Sequence, residues 1–305
     1  MSVRERIAGA PISWGVIEIP EWGYQMPADR LLREAAALGL TAMEAGPEGF
    51  LPDDPAGVRA KLDEHGLRLV GGFVPAVLHE PAARQEGLDL VERRAAFFST
   101  AGGDTLVLAA IPGVGAFERT VDLDRAAWME LFENLKRAEE ICNRYGLNLV
   151  LHPHFGTVVE TREQLLRFLE GSETGLCLDT GHLVIGGCDP VEIAGQAAGR
   201  VEHVHLKDVD RGVAERLGRR ELDFRGACRE RAFRPLGQGD VDVGRLLELL
   251  DGAGYSGWYV LEQDVLVEEE PEEGEGPIVN VKESLNFVWE KLGGGKRIRE
   301  SESSR

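Results

Sequence analysis

The chain of 305 residues has little of several things that would narrow its function at once. Its four cysteines (Cys142, Cys177, Cys188 and Cys228) are scattered, with no C-x-x-C pair. That argues against a zinc knuckle or a disulfide frame and for a reducing, cytoplasmic setting. No run of about 18 apolar residues occurs, so no membrane span is expected. The opening MSVRERIAGAPISWG lacks the apolar stretch of a signal peptide. Positive charge is scarce: 34 Lys and Arg stand against 53 Asp and Glu, for a net charge of −19. Such a surface repels phosphate backbones, and nucleic acid is not expected as a partner. No G-x-G-x-x-G follows the first expected strand, which removes the usual sign of dinucleotide binding.

What is present is an alternation. Short apolar runs, rich in β-branched residues, alternate with longer amphipathic stretches. Strands are expected at 6–14, 40–46, 67–75, 104–111, 147–154, 175–182, 200–208 and 257–264. Helical periodicity falls between them, at 28–39, 55–65, 84–101, 124–145, 161–170, 190–198, 243–253 and 279–293. Several of these end in HGL, YGL or AGY, with glycine where a helix terminates. Eight βα units of this total length predict a single α/β domain, a (β/α)8 TIM barrel over 1–292. The polar tail 293–305 is expected to be disordered. Two connections are long for this fold, the arginine-rich 209–242 and 265–278, and long loops on a barrel are usually lids or binding loops. The run EEEPEEGE (268–275) reads as a solvated segment of the second.

In such barrels chemistry collects where strands end at their C-terminal side. The expected strands end in Glu44; in His152 and His154; in Asp179 and His182; in His203, His205, Lys207 and Asp208; and in Glu262 and Asp264. Five of the seven histidines fall between 152 and 205. His152 and His154 are two apart, so on a strand they face one side. Each residue also has a plainer reading. Asp179 in LDTGH suits a helix N-cap, His203 a buried hydrogen-bonded role, and Gly181, Gly186 and Gly187 turns. Together, imidazoles and carboxylates from neighbouring strands form an N/O set suited to a divalent ion, Mn or Co foremost, with Zn, Fe or Mg behind them.

The stretches APISWG (10–15), MEAG (43–46), LHPHFGT (151–157), LDTGHL (178–183), RVEHVHLKD (200–208), SGWYVLEQD (256–264) and GQGDVD (237–242) resemble the xylose-isomerase-like TIM-barrel superfamily. More narrowly they resemble its inosose dehydratase family. The superfamily holds its ion with Glu, Asp, His and Glu. The resemblance therefore implies Asp179, His205 and Glu262 as ligands and sets His152 where the isomerases and epimerases carry glutamate. The fifth-strand ligand is then His152, His154 or neither. The family implies dehydration of a keto-polyol, scyllo-inosose, with Glu262 as base and His154, His182 and Lys207 as candidates for acid and hydroxyl binding. Trp14, Glu44 and Arg225 are expected to contact the substrate. A sugar isomerase or epimerase on the same site is the alternative. A DNA endonuclease of the same superfamily is opposed by the charge. Assembly into a homo-oligomer is left open.

Overall fold

A computed structural model describes residues 3–19 and 21–292. The expected tail 293–305 lies outside the described residues. Barrel strands β1 (Ile7–Gly9), β2 (Ala42–Met43), β3 (Arg68–Leu69), β4 (Gly71–Ala76), β5 (Thr105–Ala110), β6 (Asn148–Leu151), β7 (Gly175–Asp179) and β8 (Val201–Leu206) are followed by a short hairpin. The hairpin pairs β9 (Asp208–Val209) with β10 (Phe233–Arg234), antiparallel. The last barrel strand is β11 (Trp258–Leu261). All barrel pairings are parallel, in the order β3-β2-β1-β11-β8-β7-β6-β5-β4.

The two ends of that order are one expected strand split at Val70. Val70 donates to Met43 O at 2.9 Å on one side and accepts from Thr105 N at 3.1 Å on the other, so a single residue closes the barrel. The break needs Gly71, whose φ is +153° and where a Cβ would fall on the carbonyl of Thr105.

Helices α1 (Ala28–Leu38), α2 (Pro55–Asp63), α3 (Arg84–Ala101), α4 (Arg125–Arg144) and α5 (Arg162–Gly171) match expected ones, and so do three later helices. Between them lie α6 (Thr180–Ile185), α7 (Pro190–Ala197), α8 (Arg211–Gly218), α9 (Phe224–Arg229), α10 (Val243–Gly252) and α11 (Pro277–Lys291). Of these, α6, α8 and α9 were not expected. Residues 209–242 are therefore not an open loop. Asp210 and Asp223 cap α8 and α9 by accepting from Val213 N and Gly226 N, and the segment packs against α6. Several strands are also shorter than expected at their C-terminal ends. After Gly9 the chain turns into a 3₁₀ helix, Pro11–Trp14, and β7 stops where Asp179 caps α6. The acidic run is exposed but anchored: Arg30 donates to the carbonyls of Pro271 and Glu272, both at 2.7 Å.

Most of the core lies between strands and helices, and the barrel interior holds smaller clusters around Ala8, Ala42, Val70 and Val260 and around Val107, Val150 and Cys177. Alternation along the strands carries each inward row upward from these apolar layers. Val150 leads to His152, Cys177 to Asp179, and Val260 to Glu262. Register sets Cys177 beside His203 and Asp179 beside His205. No helix among the described residues is long and apolar enough to cross a membrane.

Asp208 is structural. Its carboxylate accepts the backbone N–H groups of Val209 and Val241 at Oδ1 and of Gly237 and Gly239 at Oδ2, at 2.8–3.0 Å. This ties the GQGDVD turn to the hairpin. Replacing Asp208 by alanine would orphan four backbone donors and is expected to lower stability by about 3 kcal/mol or more, measured by urea unfolding. A loss under about 1 kcal/mol would show that water takes over these bonds.

Candidate metal centre and active site

At the mouth of the barrel Asp179 does two jobs. Its Oδ1 accepts His182 N–H at 2.8 Å and caps α6. Its Oδ2 lies 3.3 Å from His152 Nε2, 3.6 Å from His205 Nδ1 and 3.3 Å from Lys207 Nζ. The cap reading of LDTGH holds at Oδ1, and Oδ2 faces the histidines and the lysine. His182 therefore sits on a helix and not at a strand end. Its ring lies on that of His154, centroids 3.7 Å apart, and stacks on Phe224 behind it.

Glu44, from the end of β2, reaches across the barrel. Its Oε1 accepts from His203 Nε2 and His205 Nε2, both at 3.0 Å. A carboxylate can only accept, so both rings carry their proton on Nε2. For His205 this leaves Nδ1 turned to the other side, where Glu262 Oε2 lies 2.5 Å away. Both atoms are buried, and their pairing is an ion contact without hydrogen-bond geometry.

Lys207 is fully buried. Its Nζ lies 2.6 Å from Asp264 Oδ2, 3.1 Å from Glu262 Oε1 and 3.2 Å from His182 Nε2. Burial works against its charge, and the carboxylates of Asp179, Asp264 and Glu262 outweigh this, holding it well above the ordinary lysine value. Burial also opposes ionisation of Glu262, but His205 and Lys207 draw its carboxyl down to about 2. Asp264 is pushed up to about 6 by burial, against the pull of Lys207. His154 is lowered to about 3 by burial and by His152 and Lys207. Three buried carboxylates, Asp179, Glu262 and Asp264, thus share one ammonium, while Glu44 meets the imidazoles of His203 and His205.

This surplus of negative charge fits a cation. Asp179, His205 and Glu262 each offer a ligand atom within 4.8 Å of the others'. With His205 Nδ1 and Glu262 Oε2 facing each other among them, the donor set suits a divalent ion with N and O preference. Glu44 orients the imidazole of that set, as outer-shell carboxylates do. Replacing Glu44 by leucine is expected to weaken Mn²⁺ binding about 10–100-fold, read by titration of the free-ion paramagnetic resonance signal. Glutamine, which still accepts a hydrogen bond, should cost less; equal losses would mean that charge and not orientation matters.

The cavity above these groups has a volume of about 480 Å³, within the usual range for small-molecule sites. Its wall includes Glu44, His152, His154, His205 and Glu262 from the expected set, and Asp264 and Phe73 besides. Asp179, His182 and Lys207 stand behind this wall. Two residues expected at the substrate are not on this wall. Trp14 is fully buried among the helices, with its indole N–H on Glu34 Oε2 at 2.9 Å, because the chain turns helical after Gly9. Arg225 sits on α9, none of whose residues is on the cavity wall; that helix backs His154 and His182 with Phe224. Asp264 was legible as the next inward residue after Glu262. The bridging role of Glu44 was not, since 159 residues separate it from His203.

A parallel barrel with a buried His/Asp/Glu cluster at its mouth defines the class, a TIM-barrel enzyme. The chain belongs to the Xylose isomerase-like TIM barrel family, matched over residues 32–286, and within it to the inosose dehydratase family. It is 34% identical to the inosose dehydratase of Geobacillus kaustophilus (strain HTA426), over 85% of this chain and 87% of that protein. It is 31% identical to the rhizopine catabolism protein MocC of Rhizobium meliloti, over 85% of this chain and 81% of that one. Among solved structures, an L-ribulose 3-epimerase shares the fold at a TM-score of 0.69 and 17% identity, covering 98% of this chain and 100% of that one.

Proposed function

We propose that the chain is a metal-dependent hydro-lyase that removes water from a cyclic keto-polyol, scyllo-inosose, in the breakdown of myo-inositol. The observation that carries this is the end of β6. His152 and His154 stand there, where the two-glutamate chemistry of an epimerase would place its second carboxylate. Asp179, His205 and Glu262 would hold the ion. The Nε2–H of His152 is directed at Asp179 Oδ2, which makes His152 a support of that ligand. Three protein ligands leave coordination positions open, as catalytic sites do. When bound, a divalent cation supplies charge stabilisation to the ketone oxygen as the neighbouring C–H is deprotonated.

The residues of the cavity divide the proton work. His154 Nδ1 donates to Phe155 O at 2.8 Å, so the neutral ring presents a lone pair at Nε2. That nitrogen takes the proton alpha to the ketone. The imidazolium so formed returns it to the departing β-hydroxyl, which leaves as water while the C–C double bond of the enol forms. The resemblance read from sequence made Glu262 the base, with His154, His182 and Lys207 as candidates for acid and hydroxyl binding. In the metal-free site burial and cationic neighbours hold His154 low, and against burial cationic neighbours hold Glu262 low; Glu262 is in addition committed to His205 and Lys207. Lys207 and His182 do not reach the cavity and act by holding the carboxylates and the His154 ring. The four cysteines are buried and free, which suits a reducing, cytoplasmic setting.

The test is an absorbance assay with scyllo-inosose. Metal-stripped protein should be inactive, and Mn²⁺ or Co²⁺ should restore the ultraviolet band of the conjugated product. No band under any metal would sink the dehydratase reading, and an epimerised ketose in its place would favour the isomerase one.

A further inference from the structure

The cavity over the metal centre shares a wall with a smaller one of about 210 Å³. Gly46, Pro47, Glu48 and Arg94 line both. Gly46 keeps that wall thin: its φ is +69°, and a Cβ there would crowd the ring of Pro11. Among the described residues, Arg94 is the only lysine or arginine on either wall. It comes from α3 and is held by the rings of Phe97 and Phe98, with centroids 5.0 and 4.6 Å from the guanidinium carbon. Its side chain is 15% exposed, and one N–H meets Glu48 Oε1 at 3.3 Å. Glu48 is 78% exposed.

A planar donor fork fixed by aromatic rings, beside a carboxylate free to turn, offers donors and acceptors together. A hydroxyl needs both. An anion needs only the first: it would have to displace Glu48 and would share the cavity with Glu44, Glu262 and Asp264. We propose, on the dehydratase reading, that Arg94 and Glu48 form a subsite for vicinal hydroxyls of a neutral cyclic polyol, in the wall shared by the two cavities. The pair selects neutral polyols against phosphorylated ones.

The test is calorimetry on Mn²⁺-loaded protein with two probes, myo-inositol and myo-inositol 1-phosphate. The wild type should bind the neutral probe at least about 10-fold more tightly than the phosphate. Arg94→Ala should weaken myo-inositol binding about 10-fold, the size of a charged hydrogen bond, and Glu48→Ala about 3-fold, with Mn²⁺ affinity unchanged in both. Should Arg94→Ala fail to fold without its packing on the two phenylalanines, Glu48→Ala at its exposed position decides alone. Unchanged affinity in a folded variant, tighter binding of the phosphate, or no myo-inositol binding by the wild type overturns the subsite. Turnover of scyllo-inosose by the wild type is scored separately. Product with unaltered variant affinities defeats the subsite alone, and weakened variants with no product defeat the reaction alone.

Discussion

Asp179→Asn is expected to leave a folded barrel that no longer retains its metal. Asparagine caps a helix as well as aspartate does, so the bond from His182 N–H to Oδ1, at 2.8 Å, has a replacement and α6 should persist. The other oxygen is where the charge matters. Oδ2 lies within 3.6 Å of His152, His205 and Lys207, at the meeting point of β6, β7 and β8. An amide there brings no negative charge to a cation and can turn its NH₂ toward it. The loss of Mn²⁺ affinity should exceed the ~10–100-fold typical of an outer-shell change. Metal content after dialysis, with circular dichroism as the control for folding, measures it. Retained metal at wild-type stoichiometry would move the centre off Asp179 and onto another cluster of the mouth.

Lys207→Met has the largest expected effect on stability. The ammonium is enclosed, and its carboxylate neighbours Asp179, Glu262 and Asp264 are themselves nine-tenths buried or nearly so. Methionine matches the volume but leaves those three charges facing one another. Breaking a buried ion pair from one side costs about 3–5 kcal/mol, because the remaining charges stay desolvated. The expected result is a loss of that size in guanidinium unfolding of metal-free protein. The loss should be smaller with saturating Mn²⁺, which gives two of the same carboxylates another cation. Equal losses with and without metal would show that Lys207 and the ion do not share partners. A catalytic acid would behave otherwise: its removal would lower turnover and leave stability intact.

These two residues mark how far the sequence could be read. LDTGH and HVHLKD announced both of them by residue type and by position at strand ends. What remained hidden was which oxygen or nitrogen of each faces the cavity. Asp179 was legible as a ligand or as a cap; one oxygen caps α6 and the other faces the histidines, because a carboxylate has two oxygens and the strand ends where the helix begins. Lys207 was legible as chemistry but stands behind the wall, since the residue that continues the inward row of His203 and His205 is covered by the carboxylates it holds.

The eight-unit alternation, the acidic balance and the collection of histidines at strand ends belong to the sequence by itself, because periodicity and charge are local and additive. From these the barrel and the position of the mouth follow. The tertiary structure alone decided the rest. It joined Glu44 to His203 and His205 across the barrel, turned 209–242 from a loop into the packing behind the histidines, and set Trp14 and Arg225 off the cavity wall. The physical reason is closure: a sheet rolled on itself brings its first strands against its last. Which atoms then meet depends on register and on the ends of strands, and a single chain read in order does not carry either.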